Sequence, residues 1–183
     1  RVLVAIIADG NPFTAHFDAG WGMAVDMITG APHDFGGGSE LEKLQQRVKD
    51  EHIDNVIFKG FVEKKYIPYI LSRSSVNVLN YSQSNYNWSR GNSSNKLFEY
   101  MASGKPIIST VKMGYCILDK YQCGLSLEEC TPQALAEQIL KIHDMPAETY
   151  AQMAHNAQEG AKDFDFSVLT ERLYHVIESV EQK

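Results

Sequence analysis

A chain of 183 residues, 44% apolar and 22% charged, has the length and balance of one globular domain with a real core. Its formal net charge of −6, without a basic patch interleaved with aromatics, weighs against nucleic acid or an anionic membrane as the main partner. The longest apolar run, residues 2–8, is too short to cross a bilayer, and it lacks the basic flank and cleavage site of a signal peptide.

Residues 2–8 read instead as a buried strand. A helix can be drawn over 18–28, against the helix-weakening Gly20 and Gly22. The triplet Gly36-Gly37-Gly38 breaks the chain. It invites a dinucleotide-binding reading, but the third glycine of Gly-x-Gly-x-x-Gly falls on Leu41, so a strand-to-helix turn is the better account. Ser39 and Glu42 form a capping box ahead of a helix over 41–51, with Leu41, Leu44 and Val48 on one face.

From there the rhythm is regular. Strands are predicted over 55–59, 76–80, 107–110 and 124–127, and helices over 63–72, 94–103, 116–121, 132–143, 147–162 and 167–181. Gly104-Lys105-Pro106 ends the helix over 94–103, glycine permitting a left-handed turn and proline forbidding continuation. Thr131 caps the helix that Pro132 begins. This alternation predicts an α/β fold: a Rossmann-like, doubly wound parallel sheet with helices on both faces, forming a single domain over 1–183. The sheet should finish by Leu127, and a ligand should sit beyond the carboxyl ends of its strands.

The three cysteines, Cys116, Cys123 and Cys130, are spaced seven apart, which fits neither a zinc site nor a redox pair. No metal and no cofactor is expected, and scattered thiols suit a reducing, cytoplasmic compartment. His16 and His33 read as ordinary loop histidines. Tyr81, Tyr86 and Trp88 in the polar loop could equally pack on a sugar or on the protein surface.

The chemistry concentrates on the helix over 94–103. Asn92, Asn95, Lys96, Glu99 and Ser103 fall in a stripe about 100° wide on a helical wheel, leaving Leu97, Phe98 and Met101 to bury. The helix start offers the backbone N–H groups of Ser93, Ser94 and Asn95, with the helix dipole behind them, as an anion site suited to a diphosphate. Further in, Glu99 can accept hydrogen bonds from two neighbouring hydroxyls, as a ribose presents them. Lys96 reads either as a phosphate ligand or as a solvated partner of Glu99, three residues on.

The segment Asn95-Lys-Leu-Phe-Glu-Tyr-Met-Ala-Ser-Gly-Lys-Pro106 resembles the signature of family 4 retaining glycosyltransferases of the GT-B fold, in the branch that builds O-antigens and capsules. The likeness runs from Phe35 to the end. It takes in Val56 to Val62 as strand and base-contacting turn, a turn at Met113-Gly114, and Thr131-Pro132 leading the next helix. The resemblance implies that Glu99 binds the ribose as the second glutamate of a Glu-x7-Glu motif. Ser93, Ser94, Asn95 and Lys96 would line the diphosphate and sugar, with Lys96 a candidate stabiliser of the leaving group. Gly60, Phe61 and Val62 would border the base.

Three departures stand out. Gly91 takes the place of the first glutamate, and Ser94 that of a usual proline. Residues 2–35 contain neither the arginine nor the lysine that the family's first loop gives to the donor phosphates. The expected function is that of the donor-binding half of a transferase. It would move a sugar from a nucleoside-diphosphate-sugar, expected to be uridine-linked, to a lipid- or glycan-linked acceptor with retention. The acceptor half would lie outside this chain, the last helix would pack toward it, and any inner-membrane contact would come through it; this half alone would barely turn over. Two alternatives remain open: a non-catalytic nucleotide-sugar-binding module, and an NAD-dependent oxidoreductase domain. No carboxylate pair suggests glycoside hydrolysis.

Overall fold

The computed structural model describes residues 4–7, 23–25, 32–35, 41–52, 57–58, 63–80, 91, 95–129 and 131–181. In chain order these form β1 (Val4–Ile7), β2 (Met23–Val25), β3 (Pro32–Phe35), α1 (Leu41–Asp50) and β4 (Ile57–Phe58). A 3-10 turn (Lys64–Tyr66) then runs into α2 (Ile67–Arg73), followed by β5 (Val76–Leu79), α3 (Asn95–Ala102) and β6 (Ile107–Ser109). The chain continues through α4 (Ile117–Tyr121), β7 (Gly124–Ser126), α5 (Pro132–His143), α6 (Ala147–Lys162) and α7 (Phe166–Glu181).

β1 pairs in parallel with β3 on one side and β5 on the other. β4 lies parallel to β3, while β6 and β7 extend the sheet beyond β5, also in parallel. The strand order therefore runs outward from β1 in both directions, which is the doubly wound pattern the alternation predicts, with the switch in order between β1 and β5. As expected, β7 is the last strand.

The helix drawn over 18–28 is not what the described residues form. Met23–Val25 is a strand, antiparallel to β3. A helix there would have to carry Gly20 and Gly22 in its first turns, whereas a three-residue strand takes its hydrogen bonds from a neighbour. β3 itself was not predicted. It places His33 in the sheet, opposite Ala5 and Ala24, and not in a loop.

β5 and β6 are buried along their whole length and send alternate side chains to two cores. On one face, Leu79 and Ile107 pack with Leu97, Tyr100 and Met101 of α3 and with Ile117 and Leu118 of α4. On the other, Val76, Val78 and Ile108 meet Ile142 of α5, with Leu135, Ile139 and Tyr150 around them. Each such aliphatic side chain contributes about 1.5–3 kcal/mol by leaving water. α3 ends as the sequence predicts: Gly104 has φ +64° and its N–H returns to the Met101 carbonyl at 3.0 Å. The Thr131 hydroxyl accepts from the Ala134 N–H at 3.1 Å and caps α5. Among the described residues no helix is long and apolar enough to cross a membrane.

Candidate donor-binding site

α3 follows β5, so it starts above the carboxyl edge of the sheet and runs down toward the start of β6. Leu97, Tyr100 and Met101, at intervals of three and four residues, bury completely against the sheet. That rotation leaves Asn95 exposed and Lys96 and Glu99 half-buried on the opposite flank, as the predicted stripe requires.

α2 runs beside α3, also from the carboxyl edge downward, because it connects the end of β4 to the start of β5. Between the two helices lies a cleft of about 340 Å³, lined by Lys64, Ile67, Pro68, Leu71 and Ser72 on one side and Glu99, Ala102 and Ser103 on the other, with Gln158 of α6. Connectivity sets its direction: Lys64 and Glu99 lie toward the carboxyl edge, Ser72 and Ser103 toward the amino edge. The Glu99 carboxylate has no hydrogen-bond or ion-pair partner among the described residues, so no ion pair joins it to Lys96. A half-buried carboxylate left open on a cleft is suited to a pair of ligand hydroxyls.

Ser103, on the same wall of the cleft as Glu99, is engaged within the protein. Its hydroxyl accepts from Asn77 Nδ2 at 2.9 Å and donates to the Tyr100 carbonyl at 2.7 Å. Asn77, fully buried in β5, also lies 2.7 Å from the Ser74 hydroxyl, which can donate either to it or to the Leu71 carbonyl at the same distance. This network ties the end of α2, β5 and the end of α3 together and fixes both walls of the cleft. The signal for it in the sequence was an asparagine within an apolar strand.

Behind the site, Phe98 of α3 stacks on Phe164 with ring centroids 4.5 Å apart, and Tyr121 meets Phe164 edge-on at 5.9 Å. The Tyr121 hydroxyl donates to Asp163 at 2.6 Å, and Arg172 of α7 donates to the other carboxylate oxygen at 3.2 Å. α3 is thereby anchored to the junction of α6 and α7. Burial pushes the Cys123 thiol up to about 12, which makes it an unreactive core group. Burial, and then the nearby Arg73, lowers Lys105; both cations sit at the amino edge, away from Glu99.

Of the residues the sequence assigns to the donor, the structure describes Asn95, Lys96 and Glu99 and places them on one helix flank. Gly60, Phe61, Val62, Ser93 and Ser94 lie outside the described residues, as do Asn92, His16, Tyr81, Tyr86, Trp88, Cys130 and the glycine triplet 36–38. Lys64 was not singled out by sequence reasoning. It precedes a helix as any solvated lysine does, and only the packing of α2 beside α3 brings it to Glu99's cleft. Among the described residues no group of three His, Cys, Asp or Glu side chains could hold a metal.

The family model described as glycosyl transferases group 1 matches residues 28–160. The chain belongs to this family. A comparison with curated proteins found no match. Among solved structures, this glycosyltransferase chain is similar to Anabaena HepE in complex with UDP, with a TM-score of 0.68 at 20% identity over 96% of this chain and 48% of HepE. HepE has also been solved with UDP-glucose. A glycosyltransferase from Rickettsia africae aligns with a TM-score of 0.68 at 13% identity, over 98% of this chain and 48% of that one. WaaG, a glycosyltransferase involved in lipopolysaccharide biosynthesis, aligns with a TM-score of 0.56 at 18% identity, over 79% of this chain and 37% of its own. These likenesses show the fold, a Rossmann-like parallel sheet with helices, shared with part of each of these glycosyltransferase structures. The chain spans about half the length of the first structures it matches.

Proposed function

We propose that this chain is the donor-binding half of a family 4 retaining glycosyltransferase. It would take a sugar from a UDP-sugar to a lipid- or glycan-linked acceptor, in the branch that makes cell-surface polysaccharides. The observation that carries this reading is Glu99, a half-buried carboxylate on the second turn of α3 that has no partner among the described residues and lines the cleft between α2 and α3. There it would hold the ribose hydroxyls. The backbone amides of Ser93, Ser94 and Asn95 and the Lys96 ammonium would receive the diphosphate and stabilise the charge that grows on it as the glycosidic bond breaks. That chemistry requires no cofactor.

The UDP and UDP-glucose complexes of HepE support the choice of nucleotide, and the likeness to WaaG supports the polysaccharide context. The surface of α7 supports a missing acceptor half. Phe166, Leu169, Leu173, Val176, Ile177 and Val180 are all exposed, within about 100° of the helix circumference, the stripe a docked domain would cover. The full protein would then work in the cytoplasm, reaching the inner membrane through that other half.

Titration calorimetry with UDP, UDP-sugars and NAD tests the reading. Binding of UDP and UDP-sugars without NAD is expected; NAD binding without UDP binding would overturn it in favour of an oxidoreductase domain. A second reading, a nucleotide-sugar-binding module without turnover, draws on Gly91 in place of a glutamate and on the absence of cations from residues 2–35. Sugar transfer by the full-length protein separates the two.

A further inference from the structure

We infer that Lys64 is a phosphate-binding residue of the donor site, supplying from α2's side the cation that residues 2–35 do not provide. The inference rests on the donor-site reading of Glu99. A nucleoside diphosphate carries two to three negative charges at neutral pH, and a helix start offsets only about half a charge. The site therefore needs cations near the carboxyl edge.

Lys64 opens the 3-10 turn that leads into α2 and lines the same cleft as Glu99. It is the one cationic side chain among the described residues around that cleft. Its neighbour Lys65 is committed elsewhere, paired with Glu63 at 2.8 Å and lying 5.0 Å from the centre of the Tyr66 ring. Arg73 ends α2 and Lys105 precedes β6, so both lie at the opposite end of the helices. Glu99 sits about 6 Å along the α3 axis from Asn95. Lys64 and Glu99 line the same cleft from its two walls, α2's side and α3. A lysine stem spans a length similar to that axial separation, and its ammonium meets phosphate as a mobile point charge. Lys64 can lay its apolar stem against Ile67 and Pro68 while the head reaches a bound phosphate.

A role in binding phosphate predicts that the loss on neutralising Lys64 grows with the charge of the ligand, which a packing role or a base contact does not. Calorimetric titration of uridine, UMP and UDP into the wild-type protein, Lys64→Met, Lys64→Arg and Lys65→Met tests it, with thermal unfolding confirming that each variant folds. For Lys64→Met we expect uridine affinity within about twofold of wild type and UDP affinity lower by about 10- to 100-fold, with UMP between. Lys64→Arg should retain most of the UDP affinity, and Lys65→Met should match wild type. An equal loss across the three ligands, no loss, or the same loss in Lys65→Met overturns the inference while leaving the donor site standing. Failure of the wild-type protein to bind UDP removes the donor reading itself, and the inference with it.

Discussion

Gly91 holds φ at +84° and lies so close to Tyr115 that a β-carbon added to it would stand 2.6 Å from the Tyr115 carbonyl oxygen. Position 91 is where the resemblance leads one to expect a glutamate. Here a side chain is opposed twice, by a left-handed backbone conformation and by the chain between β6 and α4. Gly91→Ala should therefore lower stability by about 1–3 kcal/mol in urea unfolding. Gly91→Glu should fare no better, and should not raise affinity for UDP-glucose above that for UDP. Unchanged stability in Gly91→Ala would contradict the contact.

Asn77 joins the two helices that wall the cleft. Asn77→Ala removes the donor to Ser103 and opens a small hole between β5 and α3, at a cost of about 2 kcal/mol. The Ser74 and Ser103 hydroxyls keep their backbone acceptors, which limits the damage. A double-mutant cycle with Ser103→Ala should give a coupling of about 0.5–1.5 kcal/mol; additive losses would mean that the 2.9 Å contact contributes nothing.

Cys123 should resist alkylation in the native protein. With its thiol pushed up to about 12, the reactive thiolate is about one part in ten thousand at pH 8, and the group is fully buried as well. Cys116, partly exposed, should label before Cys123. Peptide mapping after brief iodoacetamide treatment checks the order, and equal labelling would contradict it.

The Tyr121 hydroxyl, and then the Arg172 guanidinium, hold the Asp163 carboxyl below the usual carboxylate range. A depressed folded value means that this stabilisation is fully present above the unfolded-state value of about 3.9. It is lost as the pH falls through the lower folded value. The start of α7 should accordingly loosen as the pH falls below about 4, seen as lower hydrogen-exchange protection there relative to the intrinsic rates. Asp163→Ala should already exchange fast at pH 6 and show a flatter acid dependence. An unchanged acid dependence in that variant would place the titrating group elsewhere.

Much of the fold could be read from local pattern where local pattern determined structure. β5, α3 and β6 combine an apolar strand, an amphipathic helix and a Gly-Lys-Pro stop, and each signal agrees with the others. β3 had no such signal. Pro32-His33-Asp34-Phe35 is poor strand material by composition, and its extended form comes from pairing with the nearby β2 and with β1 and β4, which are distant in sequence. The site divides in the same way. Glu99 and Lys96 follow from helical periodicity on one element, whereas Lys64 and the Asn77–Ser103 bond depend on how two elements pack.

The most direct test of the account is UDP binding to Glu99→Ala, measured beside binding of 2′-deoxy-UDP to both proteins. If Glu99 holds the ribose, the variant should bind UDP at least about tenfold more weakly, since a hydrogen bond to a charged group contributes about 1.5–3 kcal/mol. The deoxy ligand should then lose affinity for the wild type but little for the variant. UDP bound equally well by wild type and Glu99→Ala would contradict the account.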